Sequence, residues 1–158
     1  DVGGARTIPV RNTTDAAGMG PADAVFICVK AYDTASAIKA VLPALREGTV
    51  VVSMQNGLGN LDEMGAIVHP DRLLAAVTTA GSTYIGPGHI RYAGTGMTTL
   101  AAVTPAGGPL ARRMADLLIG ASIAAATAAD IRPKPPMPAI TGPPDTASST
   151  APRTWRMS

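Results

Sequence analysis

The sequence predicts an α/β fold: a parallel sheet with flanking helices and a small antiparallel hairpin, followed by a disordered tail. Three observations carry this. Residues Ala24 to Lys30 and Thr49 to Met54 are continuous apolar runs rich in β-branched side chains and too short for helices, the pattern of strands buried on both faces. A helix-length segment lies between them, so strand, helix and strand follow within about 30 residues. The composition is 46% hydrophobic but only 3% aromatic, with 17 Gly and 14 Pro in 158 residues. A core of Ala, Val, Ile and Leu suits a sheet packed between Ala-rich helices.

The segment up to Gly20 is polar and turn-rich apart from Thr7-Ile8-Pro9-Val10, which reads as an edge strand followed by a linker. The chain opens at Asp1 without Met or a leading apolar strand, and the fold is expected to be truncated at this end. After Lys30, Asp33 or Thr34 caps a helix whose apolar residues Ile38, Val41, Leu42 and Leu45 fall on one face, with Pro43 ending it early. A second short helix begins near Leu58, with Leu61, Met64 and Ile67 apolar and Asp62 and Glu63 in its first turn, where carboxylates complement the helix dipole.

Leu73 to Thr79 reads as a further strand. Gly86-Pro87-Gly88 is a turn, and His89 to Tyr92 and Met97 to Val103 flank Gly94-Thr95-Gly96 as the arms of a hairpin. A helix from about Pro109 carries Leu110, Met114, Leu117 and Leu118 on one face and ends at Gly120. A last weak strand, Ile123 to Thr127, precedes a change of composition. Residues 131–158 hold half of the 14 prolines and little apolar periodicity, too little to offset their ordering entropy. The chain divides into a domain over residues 1–130 and a proline-rich tail over 131–158.

The charge balance is close, 13 Lys and Arg against 11 Asp and Glu, and no basic run precedes the tail, so nucleic-acid binding is not indicated. No stretch approaches the roughly 20 apolar residues of a membrane span. The single cysteine, Cys28, falls inside an apolar run and reads as a small buried hydrophobe in a reducing compartment, which points to the cytoplasm. His69 and His89 are isolated and have no Cys or Glu at ligand spacing, which argues against a metal site.

Each of the first two apolar runs stops at a polar residue, Lys30 and Asn56, as open α/β sheets do where they present groups to a ligand at the carboxyl edge. A lysine there attracts a cofactor phosphate, a ribose or a substrate carboxylate; spacing alone favours the plainer reading, a solvated strand-end charge. Asn56 offers a donor and an acceptor for ribose hydroxyls or a hydroxy acid, or else caps the next helix. The Gly-x-Gly strings at Gly18, Gly57 and Gly94 all lack the third glycine of a dinucleotide fingerprint. Gly57 and Gly59 let the backbone turn sharply after Asn56, for a ligand's close approach or as a plain tight turn.

Val29-Lys30-Ala31-Tyr32-Asp33, Gln55-Asn56-Gly57-Leu58-Gly59-Asn60, Val77-Thr78-Thr79-Ala80-Gly81-Ser82, Gly86-Pro87-Gly88-His89-Ile90 and Gly94-Thr95-Gly96 resemble, in order and spacing, the N-terminal domain of the ketopantoate reductase (2-dehydropantoate 2-reductase) family. The resemblance covers roughly Asp23 to Arg132. It implies a Rossmann-like NADP-binding domain and NADPH-dependent reduction of a small 2-keto acid, 2-dehydropantoate, to pantoate on the route to pantothenate and coenzyme A. A homodimer is the implied full-length assembly.

By the same resemblance Lys30 and Asn56 match residues at the cofactor and substrate. Ser82 falls where a small residue's backbone touches the cofactor, and Ala80 stands where many members carry histidine. Two departures accompany the match. The family's first strand with its Gly-x-Gly-x-x-Gly loop is absent before Asp1, and Pro133-Lys134-Pro135-Pro136 replaces the helix that bears the family's general-acid lysine. Lys134, between prolines, is no match for that lysine. A chain lacking both parts is expected to show little activity, since proton donation alone is worth about 10²–10⁴ in rate. It reads as a fragment of a ketopantoate reductase gene, out of frame or rearranged after about Arg132. The alternative is a non-catalytic dinucleotide-binding module or an inert remnant. The 6-phosphogluconate dehydrogenase-like group shares the strand-end Lys and Asn but not the Thr78-Thr79 and Gly86-Pro87-Gly88 continuation.

Overall fold

The computed structural model describes residues 7–57 and 59–130. Its centre is a five-stranded sheet in the order β1-β2-β3-β6-β7. Strands β1 (Ala24–Ile27), β2 (Val50–Ser53) and β3 (Leu73–Thr78) run parallel, with Val25 opposite Val51 and Val52 opposite Leu74. β6 (Thr98–Ala102) is antiparallel to β3, pairing Ala76 with Leu100, and β7 (Ala125–Thr127) runs parallel to β6.

Alternation along each strand divides the core in two. Val50, Val52, Leu74, Ala76 and Leu100 face α3 (Gly108–Gly120), while Ile27, Val51 and Leu73 face Ile38 of α1 (Thr34–Val41) and Met64 of α2 (Asn60–Gly65), with Val68 just beyond α2. The sheet is therefore covered on both faces. That is why its central strands read as unbroken apolar runs instead of alternating ones.

The hairpin exists but has other arms than the spacing predicts. β4 (Gly81–Gly86) and β5 (His89–Gly94) form a separate two-stranded sheet around Pro87-Gly88, with Gly88 at φ 69, whereas the strand after Gly96 leaves to pair with β3. A proline followed by a positive-φ glycine closes a tight turn at once, so the chain reverses there and not at Gly94-Thr95-Gly96.

Other expectations also shift. Thr7 to Val10 form no strand, and Ile8 and Val10 are exposed. Pairing in β1 ends at Ile27, which leaves Cys28 exposed instead of buried. α1 stops at Val41, and a 3-10 turn over Leu42–Ala44 contains Pro43, so Leu42 is turned outward. In α3 the expected face holds at Met114 and Leu118, which are buried, and at Leu110, which packs against the same cluster; Ala111 and Ala115 complete the buried stripe, and Leu117 departs from it at 58% exposed. α3 ends at Gly120 as expected, but the left-handed residue beyond it is Ser122. The tail expected to be disordered, 131–158, lies outside the described residues.

Candidate functional site

The three parallel strands end at the same edge of the sheet, so the segments that follow them share one rim. After β1 the chain passes Cys28, Val29 and Lys30 into a 3-10 turn over Ala31–Asp33. After β2 it passes Met54, Gln55 and Asn56 to Gly57 and Gly59, whose φ angles are 111° and 85°. These left-handed glycines turn the chain into α2, which starts at Asn60 with Gly59 as its N-cap. Asn56 is therefore not a helix cap. Its side chain is exposed, and among the described residues neither it nor the Lys30 ammonium has a hydrogen-bond or ion-pair partner.

The polar groups beneath them are fully engaged. Thr34 is wholly buried, and its hydroxyl lies 2.7 Å from the Ala31 carbonyl and 3.2 Å from Asn60 Oδ1. The Gln55 carboxamide donates to Thr34 Oγ1 at 2.8 Å, to the Val29 carbonyl at 3.0 Å and to the Lys30 carbonyl at 3.3 Å. Asn60, 5% exposed, donates from Nδ2 to the Asn56 and Gly57 carbonyls at 3.3 and 3.4 Å. Ser53 donates to Gln55 Oε1 at 3.3 Å. No buried side-chain nitrogen or oxygen among the described residues lacks a partner.

Two kinds of polar residue thus occupy the rim. Thr34, Gln55 and Asn60 hold the loops, while Lys30 and Asn56 project from them. The sequence reading found the second pair and missed the first set, treating Thr34 only as a cap. Asp33 occupies the N-cap position of α1 without a side-chain cap, and the Thr34 hydroxyl turns back to Ala31. The signal for two of the missed residues was their place beside glycines after the second apolar strand, Gln55 and Asn60 in Gln55-Asn56-Gly57-Leu58-Gly59-Asn60; Thr34 carries no such signal.

Ser82 stands apart. It is the second residue of β4, exposed and opposite Tyr92, and no hydrogen bond joins it to Lys30 or Asn56 among the described residues. Ala80 precedes it, at the point where the chain leaves β3. The Cys28 thiol, at the base of the rim, is pushed up from its ordinary pKa by partial burial. His69 is used locally, its Nδ1 accepting from the Asp71 amide, and no cluster of three metal-ligating side chains occurs among the described residues. No helix among the described residues is long and apolar enough to cross a membrane.

The family model for ketopantoate reductase PanE/ApbA matches residues 1–105. The chain belongs to the ketopantoate reductase family. A 2-dehydropantoate 2-reductase of Halobacterium salinarum is 44% identical over 87 residues, 55% of this chain and 28% of the relative. One from Aquifex aeolicus is 41% identical over 69 residues, 44% of this chain and 22% of that protein. Among solved structures, a PanE/ApbA family ketopantoate reductase from Ralstonia eutropha superposes with a TM-score of 0.61 at 33% identity, covering 72% of this chain and 36% of its own. The matches span about a quarter of the length of the two curated reductases and about a third of that structure. The Rossmann-like sheet and its attached hairpin are thus those of the family's N-terminal part.

Proposed function

We propose that this chain carries the strand-end part of the cofactor and substrate site of a 2-dehydropantoate 2-reductase that uses NADPH. One observation supports the reading above others: at the carboxyl rim of a parallel sheet, two polar side chains, Lys30 and Asn56, have no partner among the described residues while every buried polar neighbour does. Such a pair fits an anionic ligand rich in hydroxyl groups. The Lys30 ammonium draws a phosphate or the keto-acid carboxylate. The Asn56 carboxamide donates to a keto or ribose oxygen and accepts from a hydroxyl. Bound NADPH supplies the hydride that reduces the keto carbon. Gly57, in the left-handed region, lets a ligand reach the backbone beside Asn56. Ser82, in the separate β4–β5 hairpin, contributes its backbone to the cofactor by the family resemblance, and no residue of this chain is assigned as the proton donor.

The test is a titration of the isotopically labelled chain with NADPH and with 2-dehydropantoate, followed by NMR. The expected result is saturable movement of the Lys30, Asn56, Gly57 and Gly59 amide signals, weakened in Lys30→Met and Asn56→Ala. Absence of any saturable shift at millimolar ligand overturns the reading. Saturation by NADPH without turnover of keto acid identifies a binding module instead of a competent active site.

A further inference from the structure

The last backbone hydrogen bond between the first two strands runs from the Met54 amide to the Ile27 carbonyl at 2.9 Å. Beyond it the two chains diverge, one into the turn at Ala31, the other into Gly57 and Gly59. Among the described residues no backbone bond connects the segment 28–33 to the segment 55–60. Left so, Lys30 and Asn56 would sit on two independently mobile loops.

A chain of side chains closes the gap. It starts at the Lys30 carbonyl, passes through the Gln55 carboxamide to the Thr34 hydroxyl, continues to the Asn60 carboxamide, and ends on the Asn56 carbonyl. Its two ends are the backbones of the two residues whose side chains are free. We propose that Gln55, with Thr34 and Asn60, is a positioning residue, fixing the Lys30 loop against the Asn56 loop so that both side chains are set before ligand arrives.

The chemistry explains why an amide is needed at Gln55. Three acceptors converge on Nε2 and share its two protons, while the amide oxygen accepts from Ser53, a combination that needs a carboxamide. A carboxylate of the same shape turns an acceptor toward two carbonyls. Thr34 accepts from Gln55 and shares its single proton between Ala31 and Asn60, so its hydroxyl is the middle link. Gly57 faces the other loop: a Cβ built there would stand 3.6 Å from Ala31 Cβ, at ordinary van der Waals distance.

The proposal rests on the functional reading of Lys30 and Asn56, and its test has one arm that needs no ligand. Hydrogen exchange of the whole chain is measured for Gln55→Glu, Thr34→Val and Thr34→Ser. The expected result is exchange about 10-fold faster at the hydrogen-bonded amides that close both segments, Asp33 and Thr34 for the first and Asp62 and Glu63 for the second, in the first two variants, with Val51 and Val52 unchanged and Thr34→Ser like the parent. Equal acceleration throughout the sheet, or loosening of one segment alone, overturns the proposal. The second arm is a double-mutant cycle on NADPH affinity. Gln55→Glu should weaken binding about 10-fold in the parent and less than about 2-fold when Lys30 is already methionine. Additive losses overturn the proposal. If the parent binds no NADPH, the functional reading falls, and the exchange arm still decides whether the clamp exists.

Discussion

Gly96 lies flat against Ala80: a Cβ on Gly96 would come within 2.6 Å of the Ala80 Cα and closer still to the peptide joining Thr79 to Ala80. This contact sits where β3 ends and β6 begins, and it is fastened by the Met97 amide donating to Thr79 Oγ1 at 3.0 Å and the Thr79 amide donating to the Met97 carbonyl at 3.0 Å. The obstacle is backbone, so it cannot rotate away as a side chain would. Gly96→Ala is expected to cost about 3 kcal/mol, read as a lower midpoint in urea unfolding. Gly65→Ala is the control. A Cβ at Gly65 meets nothing within 4 Å, and the variant should be neutral or more stable by about 0.5 kcal/mol.

The Lys30 and Asn56 side chains are exposed and have no hydrogen-bond or ion-pair partner among the described residues, so replacing them tests ligand binding apart from stability. Lys30→Met and Asn56→Ala should each leave stability within about 0.5 kcal/mol of the parent, as exposed substitutions do. A hydrogen bond to a charged group is worth about 1.5–3 kcal/mol, so NADPH affinity in Lys30→Met should fall roughly 10- to 100-fold. Thermal unfolding and ligand titration on the same samples check both halves. A large loss of stability with unchanged affinity would assign Lys30 a structural role.

Much of this arrangement was legible in the sequence where one physical signal dominated. The run at Thr49 reads as a strand because burial on both faces accounts for its unbroken β-branched residues, and the run at Ala24 pairs beside it although Phe26 is exposed; Lys30 and Asn56 stand out as polar residues ending them. What was not legible depends on partners distant in sequence. Cys28 looks buried because it continues an apolar run, yet pairing stops one residue earlier. Thr34 looks like a cap, and only the approach of Gln55 and Asn60, 21 and 26 residues away, turns it into the centre of a network. The hairpin arms differ from those the spacing predicts because Gly94-Thr95-Gly96 carries turn residues but is used for close backbone approach.

The α3 helix offers a test of the same lesson in the core. Leucine content suggests that Leu117 and Leu118 are equivalent, but the helix is phased so that Leu118 is 8% exposed and packs with Ala111, Met114 and Ala115 on the sheet, while Leu117 is mostly in solvent. Leu118→Ala should cost about 2–5 kcal/mol and Leu117→Ala under about 0.5 kcal/mol, measured by denaturant unfolding. Equal costs would mean that the helix is rotated from the position described.

The Cys28 thiol gives a pH dependence whose sign follows from its surroundings. It is exposed enough to meet a reagent, yet partial burial disfavours the thiolate and raises its pKa. Alkylation proceeds through the thiolate. The rate of reaction with iodoacetamide should therefore rise with pH along a curve displaced to higher pH than that of free cysteine measured alongside. The same shift bears on folding. A folded thiol pKa above the unfolded one, about 8.5, means that the folded state holds the proton more tightly. This contribution to stability is complete below the unfolded pKa and is lost as pH rises through the folded value. Replacing Cys28 with alanine should flatten the decline of stability on the alkaline side while leaving neutral pH unaffected, and urea titrations of both proteins at several pH values read this directly. An alkylation midpoint below that of free cysteine would show instead that the Lys30 ammonium, two residues along, outweighs desolvation at the rim.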